Sequence, residues 1–385
     1  MMKYVAGDET VTGTMRRRPR CETVLRVALV TPPLEHSGGI GRLMRYLVEA
    51  VDHNKVQFVI VDSRGPRQHR PLYSILPVMR ATLTMVRLRL FEPPNVVHIN
   101  LGIGGSTVRK CWLILVSKAL GFPTVCQLHA SSYPEFFGPL PRSVKSVICW
   151  SLRRCDMFLT LGTSWREFAI RDLGLASDRV RVVRCGVPGP DSRQFGGPAS
   201  KTLSDPLRVL FLGRLCERKG TPQLLEALAL LSTRETAWRA TVAGDGDIEV
   251  AMSTAKELLI DDCVEVPGWV SAEVATKLLD DAHVLVLPSF EEGLPVSVLE
   301  AFAHGLAVVT TSVGALSEIV VDRENCLLVP VGDVTRLADA LDLLARDDEF
   351  RRHIAEGGRR VWESCLSTEI CVPRLIEAWE QTVGC

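Results

Sequence analysis

The 385-residue sequence contains no long apolar run. The longest candidate, Cys111–Phe122, is shorter than the roughly 18–20 residues that a membrane-spanning helix needs, and it contains Lys118. The twelve cysteines include no Cys-x-x-Cys pair, and the chain does not start with a recognisable secretory signal peptide. We therefore expect free thiols in a reducing compartment, and hence a cytoplasmic protein.

Aromatic residues are also scarce, at 6% of the chain, and they are not interleaved with basic residues in a nucleic-acid recognition motif. No nucleic-acid partner is therefore expected. The first predicted strand is not followed by Gly-x-Gly-x-x-Gly, the fingerprint of dinucleotide binding. This absence counts against a dinucleotide-dependent oxidoreductase.

The formal net charge is zero, yet the two halves of the chain differ. Residues 1–190 hold 27 Lys and Arg against 13 Asp and Glu, a net +14, whereas residues 191–385 carry a net −14. This asymmetry predicts that the first half faces an anionic surface or substrate. Between Arg64 and Arg89, basic residues accompany four apolar residues at helical spacing: Leu76, Met79, Leu83 and Val86. Such a helix lies on an anionic membrane surface or turns its apolar side to the protein core, and the sequence leaves both open.

Length and apolar patterning indicate an α/β protein of two domains. Short apolar runs separated by helical patterns are typical of buried parallel strands. We predict a disordered basic tail over 1–23, an N-terminal domain over 24–190, a linker rich in Gly, Pro and Ser over 191–206, a C-terminal domain over 207–365 and a final helix over 366–385. The predicted strands are Val24–Thr31, Val56–Asp62, Asn95–Asn100, Thr124–His129, Met157–Leu161, Arg179–Arg184, Leu207–Leu212, Ala240–Ala243, Val264–Val266, Val284–Leu287 and Leu306–Thr311.

The stretch Val284–Thr311 carries the strongest functional pattern. It predicts strand, loop, helix and strand, with Pro295 at the first helical position and Gly305 at the helix end. Glu292 lies in the loop before the helix. Glu300 lies near the apolar side of the helix, where a carboxylate needs a polar partner. The free N–H groups of the first helical turn favour an anion such as phosphate. From these residues alone, a phosphate site and a pair of ordinary surface acids are equally open.

The sequence PSFEEGLPVSVLEAFAHGLAVVTTSVGALSEIV, from Pro288 onward, resembles the signature of the family 4 glycosyltransferases. That signature has Pro-Ser, a Glu-Gly, a second Glu after seven intervening residues, and a Gly-x-Ala-Val-Val strand. Glu292 and Glu300 match the two acids. The resemblance implies the GT-B fold, in which two facing Rossmann-like domains with parallel sheets enclose an interdomain cleft. It also implies that Glu292 lies by the donor sugar and Glu300 binds the nucleotide ribose, with the donor loop completed by Gly293, Leu294, Pro295 and Val296.

Two cations lie on one loop of the second half, Arg214 and Lys219. They are spaced to bind a diphosphate from two sides, arginine through a fork of donors and lysine as a point charge. The resembled family has the same Gly-Arg-(four residues)-Lys-Gly spacing, and there both cations hold the donor pyrophosphate. Its members also line the nucleotide side with a turn that corresponds to Gly244 and Asp245.

In the first half, Gly38 and Gly39 follow the first strand and open a helix, so that a ligand can approach the backbone closely. The resemblance places this turn beside the donor phosphates and the acceptor. It places His129, at the carboxyl end of a predicted strand, near the sugar and acceptor, so that His129 and Glu292 become the candidate catalytic residues. For His98 we expect a hydrogen-bonded core position.

The resemblance implies a retaining, hexosyltransferase-type enzyme that moves a sugar from a nucleotide-diphosphate sugar to a glycan or lipid-linked acceptor. No cofactor and no metal are expected, because side chains supply the cations. The basic first half favours an anionic acceptor and a peripheral position on the inner face of a membrane. Relatives commonly return the last segment of the chain onto the first domain. Two alternatives remain: a non-catalytic protein that binds nucleotide sugars or lipid phosphates on the same fold, and an oxidoreductase with paired Rossmann-like domains.

Overall fold

The computed structural model describes residues 24–34, 38–64, 75–190, 206–234 and 236–384. The tail predicted over residues 1–23 and all but the last residue of the predicted linker lie outside these ranges.

The first domain is built on a six-stranded parallel sheet. Its strands are β1 (Leu25–Thr31), β2 (Val56–Asp62), β3 (Val96–Leu101), β4 (Thr124–Leu128), β5 (Met157–Thr160) and β6 (Val180–Val182). They are ordered β2-β1-β3-β4-β5-β6. Every residue of β3 and β4 is buried, as expected for strands covered on both faces.

Between these strands, the described residues form six α-helices: α1 (Gly39–Ala50), α2 (Ile75–Phe91), α3 (Gly105–Ala119), α4 (Tyr133–Phe137), α5 (Arg142–Leu152) and α6 (Thr163–Arg171). Strand β2 lies at the edge of the sheet, beside β1, and β3 lies on the other side of β1. The chain therefore moves towards that edge from β1 to β2 and away from it from β2 to β3. Because parallel crossovers are right-handed, α1 and α2 lie on opposite faces. Helices α2, α3 and α5 pack side by side.

The second domain is also built on a six-stranded parallel sheet, but its strand order is β12-β11-β10-β7-β8-β9. Its strands are β7 (Leu207–Leu212), β8 (Trp238–Ala243), β9 (Val264–Gly268), β10 (Val284–Leu287), β11 (Ala307–Thr310) and β12 (Leu327–Leu328). Its helices are α7 (Thr221–Ser232), α8 (Ile248–Glu257), α9 (Ala272–Asp281), α10 (Val296–Ala303), α11 (Val334–Arg346) and α12 (Asp348–Val361). Gly305, at φ 63°, follows the end of α10.

The last helix, α13 (Thr368–Val383), packs on the first domain, against α1, β3 and β4. A π-helical turn over Trp362–Leu366 separates it from α12. Trp379 of α13 is fully buried between Phe58 and His98, and both rings meet it edge-on. The chain therefore crosses between the domains twice.

Helix α2 has two apolar sides. Pro77, Ala81, Met85 and Leu88 face the core, whereas the predicted stripe of Leu76, Met79, Leu83 and Val86 is exposed. Of the two alternatives that the sequence left open, the core position is therefore wrong for these four residues, because a different apolar stripe fills it. No helix in the described part of the chain is long and apolar enough to cross a membrane.

Candidate functional site

Two helix N-termini meet across the cleft between the domains. Gly39 begins α1 and Val296 begins α10, and a Cβ atom added to Gly39 would lie 3.4 Å from Cγ2 of Val296. Pro295 precedes α10 in an extended conformation, so the helix begins one residue later than predicted. Among the described residues, no group accepts a hydrogen bond from the N–H of Val296 or Ser297. These N–H groups and the helix dipole make this end of the cleft favourable for an anion.

Glu292, which is buried, and Lys219, which is partly buried, form an ion pair at the mouth of the cleft. The Glu292 side chain is 7% exposed, and its Oε1 also accepts a hydrogen bond from Ser289 Oγ at 2.8 Å. Gly220 follows Lys219 with φ 73°, and a Cβ there would collide with the carbonyl oxygen of Pro288. Only glycine therefore lets the lysine loop approach the glutamate loop this closely.

Arg214 lies on the same loop as Lys219, and its side chain is exposed. It forms no hydrogen bond or ion pair with any described residue. The neighbouring Gly244-Asp245 turn packs against this loop, since the Asp245 carbonyl accepts a hydrogen bond from the Leu215 N–H at 2.7 Å. A Cβ on Gly244 would collide with the carbonyl oxygen of the residue before Arg214. The two loops thus form one wall, on which the Arg214 guanidinium is available to a ligand.

Glu300, in α10, binds two residues of α1 in the other domain. Its Oε1 accepts a hydrogen bond from the Tyr46 hydroxyl at 2.6 Å and pairs with Arg42 Nε at 2.7 Å. Burial raises the pKa of Glu300, against the opposing effect of the Arg42 guanidinium. Burial and the nearby Glu300 raise the pKa of Tyr46, so its hydroxyl keeps its proton and donates. Glu300 Oε2 is buried and has no partner among the described residues, which leaves one carboxylate oxygen as an acceptor for a ligand.

His129 follows β4 and belongs to a chain of hydrogen bonds that starts at Trp379. The Trp379 indole N–H donates to His98 Nδ1 at 3.0 Å, so the proton of the His98 ring lies on Nε2. His98 Nε2 and His129 Nε2 then both donate to Asn100 Oδ1, at 3.3 and 2.7 Å. His98 is thus the hydrogen-bonded core residue that the sequence suggested.

This arrangement fixes the tautomer of His129. Because Nε2 carries the proton, Nδ1 is an acceptor, and it is buried without a partner in the described chain. Burial lowers the pKa of His98 to about 4, and burial with His98 and Lys110 nearby lowers that of His129 to about 3. Both rings are therefore neutral near pH 7, and His129 can accept a hydrogen bond there but cannot supply a proton.

The loop of Glu292 also touches the first domain directly. A Cβ on Gly293 would lie 2.9 Å from the carbonyl oxygen of His129, and Ser131 Oγ donates to Glu291 Oε1 at 2.8 Å. A cavity of about 370 Å³ lies beside these contacts, within the size range of ligand pockets. Both domains line it, through Ser131, Pro134, Glu135, Ser164, Trp165, Phe290, Glu291, Glu292, Val313 and Gly314. A cavity of about 500 Å³ around Trp238 contains none of the predicted site residues.

Two protein-family models match the chain in succession. Glycosyltransferase Family 4 matches residues 37–188, and Glycosyl transferases group 1 matches residues 206–347. The amylovoran biosynthesis glycosyltransferase AmsK of Erwinia amylovora is 28% identical over 67% of this chain and 60% of its own length. The putative colanic acid biosynthesis glycosyltransferase WcaL of Escherichia coli K12 is 31% identical over 51% of this chain and 49% of its own. The chain thus spans between half and three fifths of these relatives.

Solved structures share the whole architecture. Sucrose-phosphate synthase from Thermosynechococcus elongatus matches with a TM-score of 0.74 and 19% identity, over 94% of this chain and 99% of its own. Anabaena Alr3699/HepE in complex with UDP-glucose matches with a TM-score of 0.69 and 14% identity, over 93% of this chain and 100% of its own. At such low identity these matches establish the fold, which agrees with the two family models.

Both halves of the chain thus match glycosyltransferase family models, and the chain has the GT-B fold. The predicted site residues meet in pairs across the cleft or along its second wall. Lys219 meets Glu292, Gly39 meets Val296, and Gly293 meets His129. Leu294 and Pro295 are buried between Glu292 and α10, and Gly38 lies immediately before α1.

The sequence does not predict four residues of this site: Arg42, Tyr46, Asn100 and Trp379. The sequence indicates that a carboxylate at Glu300 needs a polar partner, but no pattern tells which residue supplies it from 254 positions away. The sequence shows that Asn100 is a polar residue at the end of a predicted strand, but it does not indicate a partner. For Trp379 it indicates only a position on the apolar face of the final helix.

Proposed function

We propose that this protein transfers a sugar from a nucleotide-diphosphate sugar to a hydroxyl group of a glycan or lipid-linked acceptor. One observation carries the proposal: two helix N-termini and the Lys219–Glu292 pair converge on the cleft between the domains. The fold is one on which Anabaena HepE holds UDP-glucose. The names of AmsK and WcaL place those relatives in the biosynthesis of amylovoran and colanic acid.

The second domain supplies the donor contacts in this proposal. The diphosphate binds the exposed Arg214 fork and Lys219, and it lies at the free N–H groups of α10. When the phosphates bind Lys219, the lysine pairs with them as well as with Glu292. The Glu292 carboxylate can then accept a hydrogen bond from a hydroxyl of the donor sugar. The unpartnered Oε2 of Glu300 accepts one from the ribose.

The proposed reaction retains the anomeric configuration. The bond between the anomeric carbon and the diphosphate oxygen breaks, and a bond to the acceptor oxygen forms on the same face of the sugar. The acceptor proton passes to the departing phosphate oxygen. The two cations and the helix dipole stabilise the charge that develops on the leaving group. His129 is neutral, and in this scheme its Nδ1 orients a sugar hydroxyl.

We also propose that the reaction needs no metal ion and no cofactor. Asp245 and Asp247 stand two residues apart, but no cluster of three or more His, Cys, Asp or Glu side chains suited to a metal occurs in the described ranges. Arg214 and Lys219 supply the positive charge that a divalent cation would otherwise give.

The acceptor is proposed to enter from the first domain, through the cavity of about 370 Å³ beside His129. The net +14 of the first half suits a lipid-linked or otherwise anionic acceptor. A lipid-linked acceptor would place the enzyme at the inner face of a membrane.

A thermal-shift panel tests the donor. UDP-, GDP-, ADP- and CMP-sugars are added to the wild type, to Arg214→Ala/Lys219→Ala, and to Lys277→Ala/Arg336→Ala, which removes the same two charges from exposed positions elsewhere in the domain. We expect one nucleotide class to raise the melting temperature of the wild type and the control variant, but not that of the site variant. A folded protein that responds to none of the four would contradict the donor site.

Turnover separates the enzyme from the non-catalytic alternative. Purified protein, the stabilising donor and candidate acceptors are incubated with and without EDTA, and the products are followed by NMR of the anomeric proton. We expect a product with the donor's configuration in both conditions. Inverted product overturns retention, loss with EDTA overturns metal independence, and donor binding without transfer to glycan or lipid-linked acceptors favours the binding protein.

A further inference from the structure

Three neighbouring helices of the first domain present large apolar side chains to solvent. The residues, which we call the three-helix face, are Leu76, Met79, Leu83, Val86 and Leu90 of α2, Val108 and Trp112 of α3, and Val144, Val147 and Trp150 of α5. Leu83 is 65% exposed, Val108 71% and Trp150 49%. Exposed apolar patches that run across several elements mark interaction sites rather than ordinary surface.

The helices that carry this face are packed together. Helix α3 lies between α2 and α5 and contacts both. The Trp112 indole N–H donates to Thr82 Oγ1 of α2 at 3.1 Å, which holds its ring beside the apolar stripe of α2. That stripe repeats at intervals of three and four residues, opposite the separate stripe that fills the core. The exposed side chains are therefore not needed for the interior of the domain.

The charge around the three-helix face is of one sign. None of the residues of α2, α3 and α5 is acidic. Arg80 and Arg87 flank the α2 stripe, Arg142 and Lys145 lie on α5, and Arg154 stacks on the Trp150 ring with its Cζ 3.5 Å from the ring centre. The acids just beyond the helices are already paired, Glu92 with Arg26 and Asp156 with Lys118.

The helices of the face leave one edge of the sheet. Helices α2 and α3 are the next described helices after β2 and β3, and α5 follows β4 after the short helix α4. Segments that follow parallel strands start at the carboxyl edge of the sheet, where Asn100 and His129 lie. Ile103, in the loop before α3, is 42% exposed, and Val144 lies in the first turn of α5. Exposed apolar side chains therefore occur at the start of α5 and in the loop before α3 as well as along the helices.

We infer that the three-helix face docks on an anionic lipid bilayer. Its aliphatic side chains enter the boundary between headgroups and acyl chains, the two tryptophans lie at headgroup level, and the arginines and lysine contact lipid phosphates. A second copy of the chain fits less well, because a two-fold contact would oppose two basic faces. The inference rests on the proposed membrane location and deepens it by assigning the surface.

Co-sedimentation with lipid vesicles tests this face without donor or acceptor, so its outcome is independent of the thermal-shift panel. The full chain is mixed with vesicles of phosphatidylcholine containing 30% phosphatidylglycerol, and with vesicles of phosphatidylcholine alone. We expect binding at least tenfold stronger to the anionic vesicles, weakened by 0.5 M NaCl. Leu83→Ser/Trp112→Ser should reduce it at least tenfold, and Arg80→Gln/Arg87→Gln should reduce it several-fold.

Matched variants on the second domain provide the controls. Val250→Ser/Trp269→Ser removes exposed apolar residues, and Lys277→Gln/Arg336→Gln removes exposed charges. Both should bind vesicles like the wild type, and circular dichroism should show every variant folded. Wild-type protein that stays in the supernatant, or face variants that bind unchanged, would overturn the inference. A dimer in analytical ultracentrifugation that the Leu83/Trp112 variant dissociates, with no vesicle binding, would assign the face to self-association instead.

Discussion

Buried titratable side chains in the first domain are kept in one protonation state by their neighbours. His98 accepts the Trp379 indole N–H and donates to Asn100, so it has no place for a second ring proton. His129 donates to the same acceptor, and it is neutral because burial, with His98 and Lys110 nearby, lowers its pKa. At the cleft, Glu300 is held by Arg42 and Tyr46 of the other domain. These contacts predict how the stability of the fold depends on pH and how strongly Arg42 and Glu300 are coupled.

The histidine chain predicts acid sensitivity. His98 keeps a pKa of about 4 in the folded protein, while an unfolded histidine titrates near about 6.5. Its contribution to stability is therefore complete above pH 6.5 and is lost as the pH falls from 6.5 towards 4. We expect the loss for His98 to be on the order of 2–3 kcal/mol, measured by urea unfolding at a series of pH values.

His98→Gln should make that pH dependence shallower, because Gln keeps one donor and one acceptor but cannot take up a proton. His53→Gln, at an exposed position, is the control and should leave the curve unchanged. An identical acid dependence in wild type and His98→Gln would show that His98 is not responsible.

The Arg42–Glu300 pair predicts a coupling across the cleft. Arg42→Met leaves the Glu300 carboxylate, 3% exposed, without its cation, and should lower the free energy of unfolding by about 2–4 kcal/mol. In a Glu300→Gln background the same change should cost clearly less, with a coupling energy of about 1–3 kcal/mol from the double-mutant cycle. Additive effects would mean that the two side chains do not interact in solution.

At the scale of elements, the loops of the second domain are positioned by glycines at close backbone contacts. Gly220 adopts a left-handed conformation and lies against Pro288, which brings Lys219 to Glu292. Gly314, also left-handed, lies against the carbonyl oxygen of Glu292. The geometry of the donor loop thus depends on the backbone as much as on its charged side chains.

Gly220→Ala should therefore lower the free energy of unfolding more than the same change at a left-handed glycine elsewhere. Gly121 has φ 77° and open space where a Cβ would lie, so Gly121→Ala adds only the backbone strain of about 1–2 kcal/mol. We expect Gly220→Ala to cost at least about 1 kcal/mol more, because overpacking adds to the strain, and to weaken the thermal shift given by the donor. Equal stability loss and equal donor response in both variants would contradict this role.

The strands were predictable from sequence to within two residues, because short apolar runs bounded by turn residues distinguish them. The two-residue strand β12 was not predicted, since so short a run gives no periodic signal. The exposed side of α2 could not be assigned either, because Leu83 and Met85 are equally apolar and only the tertiary packing selects one. Partners such as Arg42 for Glu300 lie in another domain, and periodicity assigns a side chain to a face but not to a partner.

At the scale of the whole molecule, the two domains are also joined by contacts outside the donor loop. Glu318 of the second domain accepts a hydrogen bond from the Thr163 N–H, at the first residue of α6, at 2.5 Å. Its other oxygen pairs with Arg184 at 2.9 Å. A carboxylate at a helix N-terminus is favoured by the helix dipole, so this residue stabilises both α6 and the contact between the domains.

Glu318→Gln should favour a more open molecule. We expect a larger radius of gyration in small-angle X-ray scattering and faster amide exchange in the first turn of α6, because the charge that attracts Arg184 and the helix end is lost. Glu324→Gln removes an exposed carboxylate of the same domain and should change neither. A Glu318 variant that scatters and exchanges like the wild type would exclude a role in closure.

The return of α13 to the first domain also sets an order of events during synthesis. Trp379 lies against His98 and Phe58, yet it emerges from the ribosome 281 residues after His98. One face of β3 and β4 therefore lacks its cover while the entire second domain is being made. The first domain to be synthesised is therefore the last to be completed, because its packing needs a helix that is made after the second domain.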